Sequence, residues 1–283
     1  MTVAKAGTLQ NMTAALETSL PEELVTEYQQ KGAVRLPGTF EPWVERLRRG
    51  VETNLREPGP YAGDHTARGD AGRFFEDYCN WSRIPEFRDF VWHSPAAAIA
   101  ARIMGSGTAQ FFHEHVLVKE ATTAKRTPWH QDLPYYCVDG SQTLSIWIAL
   151  DPVPIENSPQ FVAGSHLWPK LTRPNRWVDE GDFYASDEDF IDLPDIEGDS
   201  DRFDVLQWEL AVGDALLFGF RTLHAAPGNT AASRRRGFST RWVGDDVHFV
   251  QRPGRTSPPF PGIDLVDGDR LREDWFPVIW TGF

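Results

Sequence analysis

Thr127-Pro128-Trp129-His130-Gln131-Asp132-Leu133 is the stretch on which the reading of this 283-residue chain turns. Along an extended strand successive side chains alternate between faces, so His130 and Asp132 point the same way and their donor atoms can share one ion. Imidazole suits transition metals, and a carboxylate adds hard, anionic character. Two histidines and one carboxylate on one face of an ion leave its other positions open to small ligands. The pair is weak evidence by itself, because chance supplies roughly two-thirds of one such pair in a chain with this many His and Asp residues.

A third ligand must come from elsewhere in the chain. Of the other histidines, His224 has the best context, just past the apolar strand expected over residues 214–220 and before Ala225-Ala226-Pro227-Gly228-Asn229. Beyond it the run Ser233-Arg234-Arg235-Arg236-Gly237-Phe238 is read as the second strand of a hairpin, carrying a cluster of arginines. A guanidinium is a natural partner for a carboxylate, which it binds through a two-pronged fork. Arg234 and Arg236 would face away from Arg235 on a strand. His113 and His115 also share a strand face and are read as pocket-lining or packed residues rather than a rival metal pair. His166 lies in the turn Gly164-Ser165-His166, where capping of backbone groups is the expected role.

Around these residues the chain changes texture. Residues 1–105 read as mostly helical: Pro21-Glu22-Glu23 opens a helix stopped at Gly32, and Ala33-Val34-Arg35-Leu36 makes a short strand. Val44, Leu47, Val51 and Leu55 recur at helical spacing, and residues 95–104 form an apolar helix. Residues 106–250 carry strands expected over 111–119, 143–150, 214–220 and 238–243, separated by Gly, Pro and Asp turns. The fold class this predicts is mainly β with flanking helices, a double-stranded β-helix (jelly roll, cupin-like) forming one domain over 1–283. Residues 251–283 form a C-terminal extension expected to lie across its surface.

Charge and composition narrow the function. Residues 179–204 hold twelve acidic side chains and one basic one, Arg202, and so carry nearly all of the net charge of −13. This stretch is read as a surface insertion, either a lid or a solvated loop. So acidic a chain is a poor partner for nucleic acid or an anionic membrane. Two cysteines make no stapled secreted scaffold, and no apolar run reaches transmembrane length. A cytoplasmic protein acting on a small molecule is expected; the sequence does not fix its oligomeric state.

Several of these segments, in this order, resemble the phytanoyl-CoA dioxygenase (PhyH-like) family of Fe(II)/2-oxoglutarate-dependent oxygenases. Lys31-Gly32-Ala33-Val34 with Leu36-Pro37 resembles the family's helix-to-strand entry, and Trp129-His130-Gln131-Asp132 its first metal motif. Phe161-Val162-Ala163-Gly164-Ser165-His166 resembles its hallmark turn, and His224 through Asn229 to Arg235 its closing spacing. The resemblance implies that His130, Asp132 and His224 hold iron(II), that Arg235 receives the distal carboxylate of 2-oxoglutarate, and that O2 is the second cosubstrate. It also places Trp147 and Lys119 where the family often lines the 2-oxoglutarate pocket, a core or surface role being the alternative for each. Ala163 stands where Pro is usual, the turn after Asn157 is one residue short, and the acidic insertion is not a general family feature.

The reaction this implies is hydroxylation of an unactivated C–H bond with release of succinate and CO2. Asp132 in place of Gly or Ala points to oxygenation rather than halogenation. The leading substrate class is a small natural-product intermediate. Two rivals remain: a non-oxidative cupin-like isomerase or hydrolase, which would have no use for Arg235, and a non-catalytic binding protein on the same fold.

Overall fold

The computed structural model describes residues 20–66, 69, 71–176, 181–184 and 190–282. Helix α1 (Glu22–Lys31) ends at Gly32, whose left-handed φ of 79° and tight packing against the His166 ring exclude a Cβ. It leads into β1 (Ala33–Leu36). Helix α2 (Val44–Arg56) buries Val44, Leu47 and Val51, as the spacing predicts. The short β2 (Gly63–Asp64) and β3 (Phe74–Tyr78) precede α3 (Pro85–His93) and α4 (Ala96–Met104).

The barrel strands follow: β4 (Thr108–Lys119), β5 (Thr127–His130), β6 (Val138–Asp139), β7 (Thr143–Ala149), β8 (Gln160–Val162) and β9 (Val205–Gln207). After them come β10 (Ala215–Phe218), β11 (His224–Ala226), β12 (Arg235–Val243), β13 (His248–Phe249) and β14 (Val278–Thr281). The major sheet runs β1-β10-β7-β12-β4-β3-β2, with β14 also on β4; the minor sheet runs β5-β11-β8-β9. Every pairing is antiparallel. The two sheets form the double-stranded β-helix.

Period-two alternation divides the major sheet into two faces. Val116, Val118, Leu144, Ile146, Ile148, Leu217, Phe238 and Trp242 pack with the helices in one core. The opposite parity, including Trp147, Ala149, Leu216 and Phe218, faces the inside of the barrel.

Three expectations are corrected. Residues 224–243 are not a hairpin: β11 belongs to the minor sheet and β12 to the major one, so residues 227–234 cross between sheets. The C-terminal extension does more than cover the surface. β14 adds a strand beside β4, and Phe276 is buried against Phe112. The acidic stretch is also tied down. Tyr184 is buried, with its hydroxyl donating to the Pro134 carbonyl at 3.0 Å, and Ile196 packs with Val162 and Leu223. Residues 179–180 and 185–189 of that stretch lie outside the described residues.

Glu114 on β4 shows how the helical layer is joined to the barrel. Its buried carboxylate accepts the backbone N–H groups of Asn80 and Trp81, the latter at 3.1 Å, just ahead of α3. Burial pushes this carboxyl up to about 8 despite those bonds. The unfolded chain gives up the proton near 4.5 while the folded chain keeps it to about 8. Stability therefore falls as pH rises through that window, with a slope of up to about 1.4 kcal/mol per pH unit. Glu114→Gln should flatten this dependence in urea titrations between pH 5 and 8.

Candidate functional site

His130 closes β5, and His224 opens β11 directly opposite it as its cross-strand partner. The Nδ1 atom of His130 lies 2.8 Å from the Pro128 carbonyl, and that of His224 lies 2.9 Å from the Thr222 carbonyl. A carbonyl only accepts, so each Nδ1 carries a proton, and in the neutral ring the lone pair is on Nε2. Both Nε2 atoms converge on Asp132 Oδ1, at 3.6 Å and 3.9 Å. One donor atom from each of the three buried residues lies within 4.8 Å of the others.

Asp132 reaches this position differently from the expected strand alternation. The strand stops at His130, and Asp132 takes a helical conformation (φ −70°, ψ −40°) at the head of the 3-10 turn Leu133–Tyr135. Pro134 cannot donate a ladder hydrogen bond, so the extended run ends here. The carboxylate does not cap that turn. Its Oδ2 instead accepts from Ser145 Oγ at 3.2 Å and from Arg241 Nη2 at 3.4 Å. Burial works to raise the Asp132 carboxyl; the Arg241 guanidinium and the imidazoles overcome it and hold the group well below the usual carboxylate range. Burial, reinforced by His130, drives His224 down to about 3. His224 is therefore a neutral imidazole beside the Asp132 carboxylate.

The strand register carries the site along the inner face of the major sheet. Arg235 pairs with Lys119, Gly237 with Leu117, Ser239 with His115, and Arg241 with His113. On the other side of β12, Ser239 pairs with Trp147 and Arg241 with Ser145. Arg234 and Arg236 turn outward to Glu120, Glu52 and Asp151. Arg235 points inward, donating to the carbonyls of Asn157 and Pro227. Lys119 Nζ donates to the Pro227 carbonyl at 2.9 Å and stands 4.5 Å over the Phe74 ring. Both basic groups are nearly inaccessible, at 6% and 1% exposure. Among the described residues no carboxylate pairs with either. Burial lowers Arg235 to about 10; burial and then the Arg235 charge push Lys119 well below the usual lysine range. The Trp147 indole packs on β12, in space a Cβ at Gly237 would occupy. His166, by contrast, takes no part: its Nε2 meets the Gln29 carbonyl at 3.0 Å, as expected for a turn residue.

On the far side of His130 and Asp132 is a cavity of about 250 Å³, open to solvent. One wall carries His65, His113 and His115 with Glu76; another carries Tyr135, Tyr136 and Phe183. Glu76 joins His65 Nε2 at 2.6 Å to His115 Nε2 at 2.9 Å. His113 and His115 are thus pocket-lining, as read from the sequence. Glu76, Ser145 and Arg241 were not singled out. Arg241 was legible in principle, since it shares strand parity with Arg235; Glu76 sits in a strand whose Phe74-Phe75-Glu76-Asp77-Tyr78 run does not alternate.

The profile of the phytanoyl-CoA dioxygenase (PhyH) family matches residues 28–237. The chain is similar to L-proline trans-4-hydroxylase of Streptomyces griseoviridis, with 26% identity over 264 residues covering 86% of this chain and 95% of that protein. Among solved structures it is similar to the non-heme alpha ketoglutarate dependent carbocyclase SnoK from nogalamycin biosynthesis. That likeness has 27% identity and a TM-score of 0.73 over 93% of this chain and 98% of that one. The epimerase SnoN, solved with Fe3+, alpha ketoglutarate and nogalamycin RO, shares the fold at 23% identity and a TM-score of 0.73, over 92% and 98% of the two chains.

Removing one member of a buried ion pair leaves the other charge uncompensated, at a cost of about 3–5 kcal/mol. Arg241→Met alone should lower the metal-free protein's stability by that order. The double variant Arg241→Met/Asp132→Asn should lose distinctly less than the sum of the single changes, as read by a denaturation double-mutant cycle.

Proposed function

The chain belongs to the phytanoyl-CoA dioxygenase family, and on that premise we propose that it is an Fe(II)- and 2-oxoglutarate-dependent dioxygenase. It uses O2 to oxidise, as its main outcome to hydroxylate, an unactivated C–H bond of a small organic molecule. The observation that carries this reading is a pairing of opposites on one barrel interior. Three metal-type donors converge at one end, and at the other stand two buried basic groups with no carboxylate partner among the described residues.

His130, Asp132 and His224 would hold the iron, and the donor set fits: the Nε2 lone pairs are oriented by the Pro128 and Thr222 carbonyls, and facial coordination leaves positions open. Arg235 would take the distal carboxylate of 2-oxoglutarate in its guanidinium fork, with Lys119 adding a second positive charge. Trp147 would wall the space between. The chemistry supplied there is oxidative decarboxylation of 2-oxoglutarate to succinate and CO2, coupled to oxidation of the substrate C–H bond. Asp132 fills the position whose loss would admit a halide, which favours oxygenation. Ser145 and Arg241 hold the Asp132 carboxylate in one orientation.

The likeness to SnoK supports a natural-product intermediate as substrate, and the likeness to the proline hydroxylase supports hydroxylation. The net charge of −13 disfavours polyanions such as nucleic acid or an intact coenzyme A thioester. Cys79 and Cys137 are both free, which suits the cytoplasm. No helix among the described residues is long and apolar enough to cross a membrane.

The test is anaerobic titration with Fe(II) and then 2-oxoglutarate, followed by the visible charge-transfer band of a chelated 2-oxo acid. The band should form in wild type and be absent in His130→Ala. Arg235→Ala should raise the half-saturating 2-oxoglutarate concentration roughly 10- to 100-fold, the loss of charged hydrogen bonds. A folded wild type that gives no band overturns this assignment in favour of the non-oxidative or non-catalytic rivals.

A further inference from the structure

The cavity beside His130 and Asp132 holds one polar side chain that the proposed chemistry does not use and the fold does not satisfy. His113 on β4 is 2% exposed and lines the cavity. Its Nδ1 is enclosed and makes no hydrogen bond among the described residues. The ring is held edge-on by aromatic neighbours: Tyr136 at 5.1 Å, Phe112 at 4.9 Å and Tyr78 at 6.4 Å between centroids. Buried polar groups without partners are rare in folded proteins. Nδ1 is sealed from the cavity, so Nε2, which likewise makes no hydrogen bond among the described residues, is the ring nitrogen left to meet what enters it.

We propose that His113 is the substrate-recognition residue of this oxygenase, and that its ligand is a hydroxyl group on a small ring system. A hydroxyl both donates and accepts, so it satisfies the imidazole in either tautomer. The rest of the cavity agrees with that ligand. The wall of His115 and His65, bridged by Glu76, is polar and continuous with His113, while Tyr135, Tyr136 and Phe183 offer aromatic surfaces. Tyr135 and Phe183 meet edge-to-face at 4.9 Å, and together they fit a flat ring better than a chain. A volume of about 250 Å³ is at the small end for ligand pockets and admits one or two rings. Arg241, the cross-strand partner of His113, holds Asp132. A hydroxyl docked on His113 therefore lies on the same side of the site as the metal ligands, and an adjacent ring carbon is presented to them. This assignment rests on the oxygenase reading for that last step alone; recognition of the hydroxyl does not depend on it.

The experiment compares 2-naphthol with naphthalene. Their affinities for the full-length protein are measured by calorimetry and ligand-observed NMR, first metal-free and then loaded anaerobically with Fe(II) and 2-oxoglutarate. The quantity read is the preference for the hydroxylated ring, wild type against variants. His113→Phe should cut that preference about tenfold, the worth of one hydrogen bond. His113→Gln, which keeps a donor and an acceptor, should restore most of it. Near-ultraviolet circular dichroism shows that each variant is folded. A preference unchanged in folded His113→Phe, or no preference in wild type, overturns the assignment. Because the metal-free arm needs no iron, loss of the charge-transfer band and loss of the hydroxyl preference are separate failures of separate readings.

Discussion

The pairing of β12 with β4 is the constraint on which the rest of the site depends. Its register sets Arg235 against Lys119 at one end and Arg241 against His113 at the other, all on one face. Phe238 and Trp242, of opposite parity, are fully buried against the helices. A slip of one residue would turn the arginines into that apolar layer and the aromatic rings into the barrel. Burying unpaired guanidinium groups among Phe87, Phe90 and Phe111 costs far more than the strand pairing returns. The hydrophobic core on one face thus enforces the geometry of the polar groups on the other. Gly237 adds a local condition: with no Cβ there, the Trp147 ring packs against β12.

This arrangement leaves the interior electrostatically unfinished. Lys119, Arg235 and Arg241 are buried basic groups; Asp132 pairs with Arg241, and no carboxylate among the described residues pairs with Lys119 or Arg235. The same chain carries a net −13, most of it on a surface stretch. A protein does not bury positive charges for stability alone, since their desolvation is costly. An anionic ligand meeting Arg235 and Lys119, as proposed, would relieve the imbalance. Such a ligand would bind the folded chain and not the unfolded one, so cosubstrate and metal would contribute stability as well as reactivity. Pre-set Nδ1–carbonyl contacts at His130 and His224 act in the same direction, because the imidazoles lose little freedom when they ligate.

Much of the barrel was legible in the sequence because strand parity is a short-range property. Arg235 was singled out by its spacing from His224 within the family resemblance, and strand parity then accounts for the outward pairing of Arg234 and Arg236. Helix α2 was equally readable from Val44, Leu47 and Val51. What failed was long-range or depended on turn chemistry. Asp132 shares a site with His130 through a 3-10 turn, not through strand alternation, and the period-two argument reached the right pair by a wrong route. Residues 224–243 look like a hairpin because two short extended runs flank a Gly-Asn turn. Only the closure of the barrel, which puts β11 beside β5 and β8, reveals that the chain changes sheets there. Glu76 was invisible because its partners, His65 and His115, lie 11 and 39 residues away.

The two ends of the site also differ in where their residues come from. The metal-type donors and the two basic groups stand on barrel strands or at their immediate ends, where the register holds them. The cavity beyond is finished by parts outside the barrel: Phe183 from the acidic stretch, Ser257 and Pro258 from the C-terminal extension, His65 and Glu76 from the β2–β3 ribbon. Segments of this kind change without disturbing the core they lie on. A barrel that fixes the reaction class and peripheral elements that shape the cavity explain how one fold accommodates a carbocyclase and an epimerase. Fold likeness therefore cannot choose the substrate of this chain. The choice falls to the side chains that face the open side of the metal site, and among the cavity histidines His113 is the one whose ring nitrogens find no hydrogen-bond partner among the described residues.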